Sequence, residues 1–127
     1  MSQLAEENKA IVRRLHEALN EGNLAALDEH PGLGEFKSMY GRLLVAFPDT
    51  RNTIERLVAE DDWVAYHLAA RGTHQGEWLG CAPTGRQVAW EVDGMYQLAG
   101  GKIVGGYGQA NLGDRLQQGA AQPAATA

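Results

Sequence analysis

Between Arg71 and Gln109 the chain reads RGTHQGEWLGCAPTGRQVAWEVDGMYQLAGGKIVGGYGQ, and two of its residues can move protons near neutral pH. His74 can act as a base, or as a hydrogen-bond donor to a carbonyl. Asp93 can serve as a base if an apolar cavity raises its pKa toward neutrality. Alternation along the strands decides where each points. His74 shares the parity of the apolar face, which makes it either a pocket residue or a ring that fixes the THQGE loop. Asp93 falls on the opposite, polar face. A one-residue β-bulge, for which the neighbouring Gly94 leaves room, would turn it inward. Tyr66, Trp78, Trp90 and Tyr96, with Leu19 from the first helix, are either core or the wall of a slot for a flat apolar ligand. Tyr96 could also donate to an enolate oxygen. Of the remaining histidines, His16 reads as a helix-edge residue, His67 as an outer-face strand residue and His30 as part of a turn.

Other chemistries find little support. The four histidines are scattered with no metal-ligand spacing inside one element, so no metal is expected. GLGEF and GGYG have glycines but neither a following Lys-Ser/Thr nor a dinucleotide-binding context, so they are not phosphate loops. Cys81 is the only cysteine, which rules out an intrachain disulfide and agrees with a reducing, cytoplasmic setting. The net charge of −5 and the lack of a basic stripe argue against nucleic-acid or anionic-membrane partners. Arg13-Arg14 reads as a solvated helix face. No apolar run approaches the ~20 residues of a membrane span. The start MSQLAEENKA has neither the basic nor the apolar region of a signal peptide.

The elements that must position these residues are legible from period and punctuation. Ile11, Val12, Leu15 and Leu19 recur at helical spacing, and NEGN breaks that helix at Gly22. Leu24 to His30 is a short second helix, PGLG a turn, and Glu35 to Ala46 a third helix stopped by Pro48. The period then changes to two. NTIERLVAE is a strand. Trp63–His74 alternates, with Val64, Tyr66, Leu68 and Ala70 on one face. Arg86–Leu98 alternates, with Val88, Trp90, Val92, Gly94, Tyr96 and Leu98 on one face. Ala99-Gly100-Gly101-Lys102 is a hairpin turn into a last strand that ends at Asn111. Helices first and antiparallel strands after give an α+β domain, residues 1–118, whose helices on a curved sheet leave a conical cavity. Residues 119–127 read as a disordered tail.

ENKAIVRRLHEALNEGNLAALDE, AFPDT, THQGE with PTGR, and GGKIV together resemble the SnoaL-like polyketide cyclases, also called ester cyclases, from about Glu7 to Gln118. The resemblance implies the cone-shaped nuclear-transport-factor-like fold and a cofactor-independent, metal-free aldol ring closure. It also implies an acid/base Asp on the last strand, and a His on the preceding strand with a Gln two residues before it. Aligned on GKI, those positions fall on Gly108, Gly94 and Val92. None carries the implied polar group. The resemblance further implies a longer segment between the second helix and the PG turn, whereas here LDEH runs directly into PGLG.

Two functions of different kinds follow. One is a cyclase or isomerase for a small hydrophobic carbonyl compound, with Asp93 or His74 as relocated acid/base. The other is a non-catalytic module of the same fold that binds a small hydrophobic ligand or a partner. The weakly charged outer face, with Trp63, Ala65 and Ala69, suggests a homodimer through the sheet.

Overall fold

The structure, a computed structural model, describes residues 2–121, with side chains to Gln117. Its order is α1 (Gln3–Asn20), two short 3-10 turns (Leu24–Glu29 and Pro31–Leu33), α2 (Gly34–Ala46), β1 (Arg51–Glu60), β2 (Trp63–Thr73), β3 (Gln87–Ala99), β4 (Lys102–Ala110) and α3 (Leu112–Ala121). The strands form one antiparallel sheet in the order β1-β2-β3-β4. The N-terminal helices and the curved sheet make the expected α+β cone.

α1 starts at Ser2, whose hydroxyl accepts from the Ala5 N–H at 3.3 Å. It ends where Gly22 takes φ +85°, which lets the Asn23 N–H reach back to the Ala18 carbonyl at 2.9 Å. Val12, Leu15, His16 and Leu19 form its buried stripe. The side chain of Asn20 then imitates a neighbouring strand. It donates to the Asn52 carbonyl at 2.7 Å and accepts from the Asn52 N–H at 2.8 Å. That clamp ties the C-terminal end of α1 to edge strand β1 and holds the buried stripe against the sheet.

The inward residues of β2 and β3 are those read from alternation. Val64, Tyr66, Leu68, Ala70, Val88, Trp90, Tyr96 and Leu98 are buried. The pairing of β2 with β3 runs without a register shift from Trp63↔Gln97 to Thr73↔Gln87. Asp93 therefore keeps its regular outward orientation. The bulges lie elsewhere: between Ile54 and Arg56 in β1, and beside Gln97 and Leu98 where β3 meets β4. The β1 bulge changes the strand's parity. Asn52 and Ile54 turn toward the core before it, Leu57 and Ala59 after it. The β3–β4 hairpin turns on Gly100 and Gly101, both at positive φ.

One element departs from the sequence reading. The chain after β4 forms α3 and buries Leu112 and Leu116 against the core. Of the expected tail, Gly119–Ala121 belong to this helix, and residues 122–127 lie outside the described residues.

The short connection before α2 is held by close packing. A Cβ on Gly32 would overlap the backbone of Val104 and Gly105. The adjacent His30 ring accepts from the Ile103 N–H at 3.0 Å, satisfying the exposed edge of β4. Gly32→Ala should cost about 2 kcal/mol or more, because backbone, not a side-chain tip, must move. Urea unfolding checks this; a loss below about 0.5 kcal/mol would contradict the packing.

Candidate functional site

Between the helices and the inward face of the sheet lies a cavity of about 200 Å³. Its apolar wall is Phe36, Met39 and Leu43 from α2, Leu68, Trp90 and Val92 from the sheet, Trp78 from the β2–β3 loop, and Leu112 at the start of α3. Its polar lining residues are His16, Tyr40, Asn52, Tyr66 and Tyr96. No carboxylate, lysine or arginine lines it among the described residues. A larger hollow, about 500 Å³, is a surface groove between α1 and β1 bordered by Arg13, Glu17, Asn20, Glu55 and Arg56. It is polar and charged. The inner cavity, apolar with a few converging hydroxyls, is the better small-molecule site. His16 and Asn52 border both.

The polar cluster is built around His16. Its ring is 2% exposed, and Nε2 lies 3.0 Å from the Tyr96 hydroxyl. Burial pulls the His16 pKa down from 6.5 to about 4, so the ring is neutral at neutral pH. Tyr96 stacks on Tyr66 with ring centroids 4.7 Å apart and planes at 27°. Burial raises the pKa of both phenols above their ordinary 10; the Tyr96 hydroxyl draws Tyr66 partly back, and the Tyr66 phenol adds to the rise at Tyr96. Both therefore keep their protons throughout the physiological range. The Tyr40 hydroxyl is buried with no close hydrogen bond among the described residues; burial raises its pKa, and the Asn52 side chain draws it partly back.

The structure sorts the residues expected from sequence. Tyr66, Trp78, Trp90 and Tyr96 line the cavity together. Leu19 does not; it is buried core beneath α1. His74 is inward by parity but sits past the cavity, stacked on Phe47 at 5.1 Å. Its Nδ1 lies 3.2 Å from the Thr84 hydroxyl, and its backbone bonds to Arg86 and Gly85. It pins the THQGE loop and, through Phe47, the Trp78 ring that packs edge-on at 6.5 Å. It is a support for the wall and is not placed to touch a ligand there.

Asp93 lies on the outer face with its side chain 68% exposed, hydrogen-bonded to the His67 Nδ1. Glu55 and Glu91 flank the other nitrogen of His67 at 3.2 and 3.7 Å. The Asp93 hydrogen bond holds the His67 pKa above its ordinary value. An acid/base role for Asp93 inside the cavity is therefore corrected: no bulge turns it, because the ladder on its β2 side is regular.

His16, expected at a helix edge, is the residue the sequence reading missed. The signal was available. Its spacing of four from Val12 and three from Leu19 puts it within the apolar stripe of α1.

The fold and site define a class first: an α+β cone that encloses a small apolar pocket with neutral hydroxyl and imidazole groups. The comparisons then fix the family. The model of the SnoaL-like polyketide cyclases matches residues 5–119, and the chain belongs to that family. It is 32% identical over 114 residues to the aklanonic acid methyl ester cyclase AcmA of Streptomyces galilaeus, covering 76% of this chain and 79% of that protein. Its structure is similar to AclR of Streptomyces galilaeus, a proposed hydroxylase, with TM-score 0.79 and 27% identity over 90% of this chain and 84% of that one. It is also similar to IdmH of Streptomyces antibioticus, a proposed polyketide cyclase, with TM-score 0.74 and 27% identity over 87% of this chain and 96% of that one. Different chemistries assigned to one fold leave the function to be argued from the site.

The neutral buried imidazole has a measurable consequence. His16 takes up its proton near pH 6.5 when unfolded and only near pH 4 when folded. Between those values the unfolded state binds more protons, so stability falls as pH falls, by on the order of 3 kcal/mol in all. His16→Gln keeps a polar partner for Tyr96 without titrating. Chemical unfolding at pH 7 and pH 4 should show the wild type losing that much more stability than the variant. Parallel pH profiles would contradict the assignment.

Proposed function

We propose that the protein acts on a small, hydrophobic, enolisable carbonyl compound by cofactor-independent acid/base chemistry, such as intramolecular aldol ring closure. The observation that carries this reading is the grouping of the Tyr66, Tyr96 and His16 polar atoms on the wall of an otherwise apolar cavity. In such a closure a base takes a proton from the carbon beside one carbonyl, the resulting enolate carbon attacks a second carbonyl, and the base returns that proton to the new alkoxide, so no net proton is gained or lost. Among the described lining groups the neutral His16 imidazole is the one with a basic nitrogen to serve as that base. Phenolic donors in an apolar-walled cavity stabilise the enolate and alkoxide oxygens. Aromatic walls hold the two carbonyl carbons near one another. His16, neutral at working pH, is the imidazole on the wall. The cavity volume lies below the roughly 300–1,000 Å³ of common ligand sites, which favours a compound of one or two rings.

A second reading has its own support. Gly94 and Gly108 stand where the family resemblance implies the acid/base side chains, and no carboxylate lines the cavity among the described residues. That favours a non-catalytic module that binds the same kind of ligand. The partly apolar outer face, with Val58, Val104 and Tyr107 exposed, supports pairing of two copies through the sheet; a monomer at micromolar concentration in sedimentation would count against it.

Trp78 and Trp90 on the wall make binding observable. Bicyclic ketones such as 1-indanone should quench tryptophan emission and compete with one another, and diketones that can close a ring should turn over if the enzyme reading holds. Binding without turnover would favour the module. Asp93→Asn should leave binding and any turnover within about twofold of wild type, since its carboxylate faces solvent on the far side of the sheet. A loss of a hundredfold would place Asp93 back in the chemistry.

A further inference from the structure

We infer that Tyr66, with Tyr96 and His16 ordered behind it, donates the hydrogen bond to the ligand's carbonyl oxygen, and that Gly94 and Gly108 are glycines because the Tyr66 phenol needs their space. This rests on the proposed function in one respect: the cavity must accept a carbonyl compound.

The steric constraint is local. Gly94 and Gly108 are direct partners across the β3–β4 ladder. A Cβ built on either would overlap the Tyr66 hydroxyl. Glycine inside a strand weakens it and usually marks a close approach. Here two of them face each other, and what approaches is a phenol from the neighbouring strand β2. Gly94 is doubly constrained, because its Cβ would also overlap the Tyr107 carbonyl. Gly108 is constrained chiefly by Tyr66, with the Asp93 carbonyl at an ordinary 3.4 Å. A polar side chain on the pocket face at either position would therefore compete with Tyr66 for one volume, and here the phenol holds it.

The neutral His16 ring has one N–H and one bare nitrogen. Nε2 faces the Tyr96 hydroxyl, and Nδ1 is buried without a partner among the described residues. If Nε2 accepted from Tyr96, the N–H would be stranded at Nδ1. A buried orphan N–H is rarer and costlier than an under-used acceptor. Nε2–H therefore donates to the Tyr96 oxygen, and the Tyr96 proton turns away from His16. The Tyr66 ring stacks on Tyr96 with centroids 4.7 Å apart, so the two phenols lie side by side on the wall. His16 orders the Tyr96 proton, and both hydroxyls remain free to give their protons to an acceptor in the cavity. Tyr66 and Tyr96 touch the ligand; His16 positions the Tyr96 proton.

The test reads the ligand's own bond. Isotope-edited infrared spectra of bound 1-indanone report hydrogen bonding to its carbonyl as a lowered stretching frequency. In the wild type the stretch should lie well below its value in hydrocarbon solvent. Tyr66→Phe should return it most of the way and lower the preference for 1-indanone over indane about five- to tenfold, with indane affinity unchanged. Gly108→Ala should produce the same spectral change with the phenol still present, by displacing its hydroxyl. His16→Phe should shift the stretch partway and His16→Gln, whose amide can donate from a similar reach, should restore it; a purely structural role would not give that pattern. Bound 1-indanone with an identical stretch in wild type, Tyr66→Phe and Gly108→Ala overturns the inference while leaving the carbonyl-pocket reading intact. Failure of both 1-indanone and indane to bind the wild type overturns that reading and the inference with it.

Discussion

The phenol of Tyr66 fills the volume that a side chain at Gly94 or Gly108 would need, and the pocket is organised around that occupancy. With glycine on both strands, the ring of β2 reaches across toward β4. It stacks on Tyr96, and Tyr96 in turn meets His16. A chain of contacts therefore joins the sheet to α1 through polar groups, in a part of the molecule otherwise filled by Phe, Trp, Leu and Met. Burial then sets their electrostatics. Imidazolium and phenolate are both disfavoured, so the pocket works with neutral donors and acceptors.

That constraint places demands on elements far from it. His16 reaches Tyr96 only because α1 lies at a fixed height over the sheet. The Asn20–Asn52 clamp sets that height, and the glycine-dependent stop at Gly22 ends the helix there. The bulge in β1 returns Leu57 and Ala59 to the inward face after Glu55 is diverted toward His67. His74 and Asp49 together pin the base of the β2–β3 loop where β2 ends. His74 bonds through Thr84, and the Asp49 carboxylate accepts from the backbone and hydroxyl of Thr73, both at 2.7 Å. Those bonds hold the Asp49 pKa below its ordinary value, so the staple outlasts an ordinary carboxylate as pH falls. Residues that resemble catalytic groups in sequence thus serve here to hold the walls upright.

Much of the fold was legible because its signals are periodic. The inward parity of β2 and β3, the glycine hairpin and the helix stops followed from spacing and backbone chemistry alone. What stayed hidden was local geometry that breaks a period, or a polar residue inside an apolar stripe. Alternation cannot locate the bulge at Ile54, since no glycine or proline marks it. It gives the facing of His74 correctly but not its depth, so the ring falls past the cavity against Phe47. His16 is polar and so reads as a helix-edge residue, although its helical angle places it among Val12, Leu15 and Leu19. The helix after β4 carried a modest signal, Leu112 and Leu116 four residues apart in a short polar run. Its first residue forms part of the wall.

The central claim is that the pocket's proton chemistry rests on a neutral, ordered imidazole behind two tyrosines, with no carboxylate. Nitrogen-15 NMR of the His16 ring across a pH titration tests this most directly, because it reads charge and tautomer together. The account predicts a neutral ring with the proton on Nε2 at neutral pH, charging only near pH 4. A ring that titrates near 6.5, or one that carries its neutral-state proton on Nδ1, would contradict it.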